Sequence, residues 1–125
     1  MSRLRRLVLS DRFFFLSCRV LPTRQRLTEH EFAILAQVIR ERRKEHGFLL
    51  TAWVFLPDPW HAIIYPRSPL TLSRVLEAIK VGATLRINRE RGERGVLLRG
   101  RFFDRALRTA REYSAKVEYI HFNPV

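Results

Sequence analysis

Two periods of apolar residues alternate along this chain. From Phe13 to Val20 the run is apolar and aromatic enough for a buried strand, and Leu21 to Arg26 forms a polar connection. Thr28-Glu29-His30-Glu31 has the spacing of a capping box, in which the Thr28 hydroxyl accepts from a free backbone N–H and Glu31 reaches back. Phe32, Leu35, Val38 and Ile39 follow at helical spacing, and Gly47 supplies a left-handed stop. Phe48 to Leu56 and Trp60 to Tyr65 predict a hairpin whose strands are separated by Pro57-Asp58-Pro59, since proline cannot donate to a ladder. Thr71 opens a second helix in which Leu72, Val75, Leu76, Ile79 and Ala83 share a face, and which ends near Gly92. Phe102 to Leu107 predicts a fourth strand. Thr109-Ala110-Arg111-Glu112 repeats the capping-box spacing and starts a last helix, limited by Pro124.

The order strand, helix, strand, strand, helix, strand, helix predicts an α+β fold: a ferredoxin-like antiparallel sheet with packed helices. No repeat, low-complexity tract or long linker divides the chain, so residues 1–125 are expected to form one domain with its core over about 13–125. That architecture hosts many unrelated activities, so function has to be argued from side chains.

Charge changes the picture most. The chain carries 24 basic against 12 acidic residues, a formal +12, and a small domain that basic calls for a polyanion as partner. All its basic residues except Lys44, Lys80 and Lys116 are arginine, whose planar fork suits bidentate phosphate contacts and stacking on bases. Arg86, Arg89, Arg91, Arg94, Arg99 and Arg101 cluster at and beyond the end of the second helix; they are candidates for nucleic-acid backbone contacts, or else a solvated basic face. Cys18 is the only cysteine, which excludes an intrachain disulfide and a multi-cysteine zinc site and fits a reducing cytoplasm. No apolar run approaches the roughly 20 residues of a membrane span, so no membrane partner is expected. An RNA-binding sheet with exposed aromatics ranks low, because an RNP-type pattern is not evident.

Of the histidines, His30 sits in a first helical turn and His46 before a helix-ending glycine, so both read as solvated or dipole-facing residues. His61 follows a Pro-Asp-Pro turn at the start of a strand, where its imidazole is either structural or aimed at a metal. In the last helix Tyr113, Val117 and Ile120 form one face suited to packing on the sheet. Glu112, Ala115, Tyr119 and Asn123 lie along an adjacent stripe. On spacing alone Tyr119 is an amphipathic packing residue and Asn123 a helix terminator.

Two motifs weigh against that plain reading. Leu56-Pro57-Asp58-Pro59-Trp60-His61-Ala62-Ile63 resembles the strand that carries paired histidines in single-tyrosine HUH transposases, above all the branch of REP-associated tyrosine transposases. It matches except that Pro59 stands where the leading histidine is expected. Tyr119-Ile120-His121-Phe122-Asn123-Pro124-Val125 resembles their terminal helix throughout, and Arg101 to Arg108 resembles the segment before it. The similarity spans about Phe13 to Val125, and relatives of this kind continue beyond the point corresponding to Val125.

The resemblance implies an HUH-type fold and a chemistry of cutting and rejoining single-stranded or hairpin DNA. Tyr119 would be the nucleophile, forming a 5′-phosphotyrosine link and freeing a 3′ hydroxyl. His61 and Asn123 would hold a divalent ion, magnesium or manganese, that polarises the phosphate. It also implies a homodimer joined through its sheets. Because proline has no side-chain donor or acceptor, Pro59 is expected to weaken metal binding and impair cutting. Asp58 could compensate only through a bulge or altered turn, and His121 is expected on another helix face. The alternative is a non-catalytic DNA-binding module derived from a transposase.

Overall fold

The protein is described by a computed structural model covering residues 10–55, 58–99 and 103–121, with backbone only at 103–105 and 121. Among these residues the elements run β1 (Phe13–Cys18), α1 (Glu29–His46), β2 (Leu49–Phe55), β3 (Trp60–Tyr65), α2 (Leu72–Arg91), β4 (Phe103–Leu107) and α3 (Ala110–His121). The strands form one antiparallel sheet in the order β2-β3-β1-β4. β1 and β3 lie at its centre, as the ferredoxin-like reading requires.

Local chemistry sets the helix boundaries. Thr28 and Glu31 form the reciprocal capping box ahead of α1, and Gly47 closes it in the left-handed region at φ 77°. Thr71 accepts from the Arg74 N–H to start α2, and Gly92 closes it at φ 67°. Before α3 the Thr109 hydroxyl accepts from the Glu112 N–H, while the Glu112 carboxylate accepts from the Arg108 N–H at 2.6 Å.

Strand alternation divides the sheet into two faces. Phe14, Leu16 and Cys18 of β1 and Trp60, Ala62 and Ile64 of β3 pack with Leu35 and Ile39 of α1 and Val75, Leu76 and Ile79 of α2. This core draws its buried residues from Phe14 to Leu98, none of them from α3. On the opposite face Phe15, Ile63, Leu107 and Ile120 form a smaller cluster, flanked by Tyr113 and Val117 of α3. The expected packing face of the last helix is thus the observed one. A bulge at Thr51, between the Leu50 and Ala52 pairings, lets β2 supply Leu50 to the first cluster and Ala52 to the second.

Strand ends differ from expectation. The first strand stops at Cys18 rather than Val20; beyond it Val20 makes only an isolated bridge to Leu98, and Arg19 accepts from the Arg99 N–H. Phe48 is buried but precedes β2. Leu56, Pro57, Phe102 and Pro124, which figure in the expected strand, turn and helix limits, lie outside the described residues. Among the described residues no helix is long and apolar enough to cross a membrane.

Candidate functional site

The face under α3 collects the chain's candidate chemistry. Alternation from Phe13 and Phe15 turns Ser17 to this face, and the register pairs Ser17 with His61 across the central strands. Their side chains share a hydrogen bond of 2.7 Å between Ser17 Oγ and His61 Nδ1. The ring's orientation is therefore held, and Nε2 remains as its other nitrogen. His61 stacks on Phe15 with centroids 5.3 Å apart. Burial pushes its pKa below the ordinary histidine value; a hydrogen bond with the Leu16 backbone opposes this, and the charges of Arg19 and Lys116 reinforce it. The charged form of the imidazole is thereby disfavoured.

Tyr119 meets this histidine. Helix α3 crosses the sheet so that Tyr113 packs on Phe13 and Tyr119 packs edge-on against both Phe15 and His61, with centroids 6.0 and 5.7 Å away. Tyr119 is 45% exposed while His61 is buried, so the phenol is the accessible member of the pair. One turn earlier on the same helix, Lys116 places its Nζ 4.5 Å from the Phe15 ring centroid and 5.7 Å from that of Tyr119.

Metal ligation fares less well. Pro59 sits immediately before β3 and offers no ligand atom. The Asp58 carboxylate accepts from the Val20 N–H at 2.8 Å and faces the Arg19 guanidinium at 3.7 Å, so it ties the hairpin turn to the end of β1. Among the described residues no group of three His, Cys, Asp or Glu side chains could hold a metal ion. Asn123 and the His121 side chain lie outside the described residues. Among the described residues one imidazole nitrogen is the ligand this face offers, fewer than a divalent ion held by protein side chains alone needs.

The six arginines separate into groups. The Arg91 side chain, 8% exposed, pairs with both oxygens of Glu31 and donates to the carbonyls of Gln25 and Arg26. Arg86 is bonded to both carboxylate oxygens of Glu41. These two fasten α2 to α1. Arg89, Arg94 and Arg99 are exposed, and Arg99 lies against Arg19 at the end of β1 nearest His61. Arg101 lies outside the described residues. His30 is exposed and faces Glu90, and His46 is exposed at the end of α1.

Ser17, Arg19 and Lys116 were not among the side chains singled out in the sequence. The i, i+3 spacing of Lys116 and Tyr119 was the available signal for one of them. Ser17 and Arg19 needed the β1–β3 register.

Comparison with known proteins adds independent weight. No family model matches the chain. It is 26% identical over 126 aligned residues to the REP-associated tyrosine transposase of Escherichia coli K12, covering 100% of this chain and 73% of that protein. A solved REP-associated tyrosine transposase bound to a REP hairpin superposes with a TM-score of 0.78 at 24% identity, over 92% of this chain and 67% of the other. A candidate transposase from Deinococcus radiodurans superposes with a TM-score of 0.64 at 16% identity, over 89% and 88% of the two chains. The fold is the one these proteins share.

Proposed function

We propose that this protein binds hairpin-bearing or single-stranded DNA in the manner of REP-associated tyrosine transposases, with Tyr119 addressing a backbone phosphate. The observation that carries the reading is the edge contact of Tyr119 with His61 on the open sheet face, in a chain similar over its whole length to such a transposase. The +12 charge supplies the electrostatic attraction, and Arg89, Arg94 and Arg99 are its exposed candidate contacts; Arg101, outside the described residues, is a further candidate from the sequence.

If cutting occurs, the Tyr119 oxygen attacks phosphorus, a P–O(Tyr) bond forms and the P–O3′ bond breaks. The phenol proton passes to solvent, and the departing 3′ oxygen gains one to become a hydroxyl. That His61 is the one imidazole among the described side chains of this face favours a second reading alongside this one: a DNA-binding module in which metal-assisted cutting is impaired by Pro59.

A fluorescent hairpin with a single-stranded tail tests both. Affinity is expected to fall steeply between low and physiological salt, and absence of binding at low salt overturns the DNA reading. With manganese added, denaturing gels are expected to show little covalent adduct from the wild type and more from Pro59→His. Adding Tyr119→Phe to that variant should remove the adduct. A strong adduct from the wild type overturns the impairment.

A further inference from the structure

Resting on that reading, we propose that the open surface beside Tyr119 is a metal-independent phosphate seat whose charge is supplied by Lys116, with Arg19 at its rim. The ligand is a backbone phosphate diester of the bound DNA.

The placement of Lys116 carries the argument. Its ammonium is held against the faces of Phe15 and Tyr119, at 4.5 and 5.7 Å from the ring centroids, and among the described residues it has no carboxylate partner. An ammonium so placed keeps its donors for an incoming anion, whereas Arg86 and Arg91 have theirs engaged by Glu41 and Glu31. Arg19 is 54% exposed, and its 3.7 Å contact with Asp58 is long enough to leave guanidinium donors free. Arg19 follows Ser17 by two residues at the end of β1, where Ser17 pairs with His61, and Lys116 lies over Phe15, on which His61 stacks. An anion entering beside the exposed phenol therefore meets fixed positive charge where the described side chains assemble no metal cage. Pro59 then has a counterpart: the charge lost with a bound ion is supplied by a side chain one helical turn from the tyrosine.

Fluorescence anisotropy of the full chain with the tailed hairpin tests this, comparing wild type, Lys116→Met and Lys116→Arg in EDTA and in manganese. The methionine keeps the apolar stem against Phe15 and removes the charge. The wild type is expected to bind equally in both conditions, and Lys116→Met to reduce the slope of log affinity against log salt by about 1, with Lys116→Arg restoring it. Replacing single phosphates of the tail by neutral methylphosphonates should identify one position at which the Lys116→Met loss disappears. If the wild type binds but the slope is unchanged in Lys116→Met, or manganese alone tightens the wild type, the seat is overturned while the DNA reading stands. If the wild type binds no DNA, both fall together.

Discussion

Beneath α1 and α2 the sheet presents Phe14, Leu16, Cys18, Trp60, Ala62 and Ile64, each 2% exposed or less. Beneath α3 the same strands present Phe15, Ser17, His61 and Ile63, and the helix above leaves Tyr119 45% exposed. The helices differ in electrostatics as well. Glu31–Arg91 and Glu41–Arg86 lock the first pair together, whereas Lys116 of α3 rests on aromatic rings. One face spends its alternating positions on packing, and the other gives some of them to groups that packing alone does not require. Packing and the candidate site are thereby placed on opposite faces of a single sheet, and substitutions on the two faces should separate in the same way.

The largest effect is expected on the closed face. Leu16→Ala should remove about 3 kcal/mol of stability, measured by urea unfolding, because a fully buried leucine at the centre of the sheet leaves a cavity that its neighbours close only partly. A loss below about 1 kcal/mol would show that this face is looser than its burial indicates.

Glu31→Gln should cost about 2 kcal/mol at neutral pH, since it weakens a buried charge-assisted pair. Hydrogen bonding from Arg91 holds the Glu31 carboxyl below the usual carboxylate range against the opposing effect of burial, with the Thr28 N–H adding to the depression. A depressed carboxylate contributes its stability above the unfolded pKa of about 4.3 and loses it as pH falls through the folded value. The difference between wild type and Glu31→Gln should therefore shrink on acidification below about pH 4. A gap that stays constant down to pH 2 would contradict the assignment.

Cys18 sharpens the contrast in reactivity. Burial is the main cause that pushes its thiol pKa up to about 11. A thiol reagent at neutral pH should label it slowly in the folded protein and rapidly in urea; equal rates would mean that the closed face opens readily.

The smallest thermodynamic effect belongs to the open face. Tyr119→Phe should change stability by no more than about 0.5 kcal/mol, because the ring packing on Phe15 and His61 is kept and only an accessible hydroxyl is lost. A large destabilisation in the same urea titration would make the hydroxyl a structural group and erase the division between the faces.

What the sequence disclosed follows the range of the forces involved. Both helix starts at Thr28 and Thr71 and both stops at Gly47 and Gly92 were legible, because a cap is settled within four residues. The end of β1 was not. It depends on where β3 and β4 cease to pair with it, and apolar Val20 gave no local sign of that. His61 and Tyr119 stood out through motif resemblance, and the fold brings them into contact. The arginine cluster was legible as charge but not by role. Glu31 lies 60 residues from Arg91 and Glu41 lies 45 from Arg86, so only the packing of α1 on α2 distinguishes fasteners from free cations. Asp58 beside a strand start invited a ligand reading, and its bond to the Val20 N–H was visible only in three dimensions.

The core between the sheet and its first two helices draws its buried side chains from Phe14 to Leu98, so everything it needs is synthesised before α3. Translation thus imposes an order on the molecule. Every residue of the closed layer is synthesised before Tyr119, so the phenol is made after His61 and Phe15, the face-lining groups that it packs against. A ribosome paused before Ala110 would hold a chain with every scaffold residue and most of its positive charge, but without Tyr119.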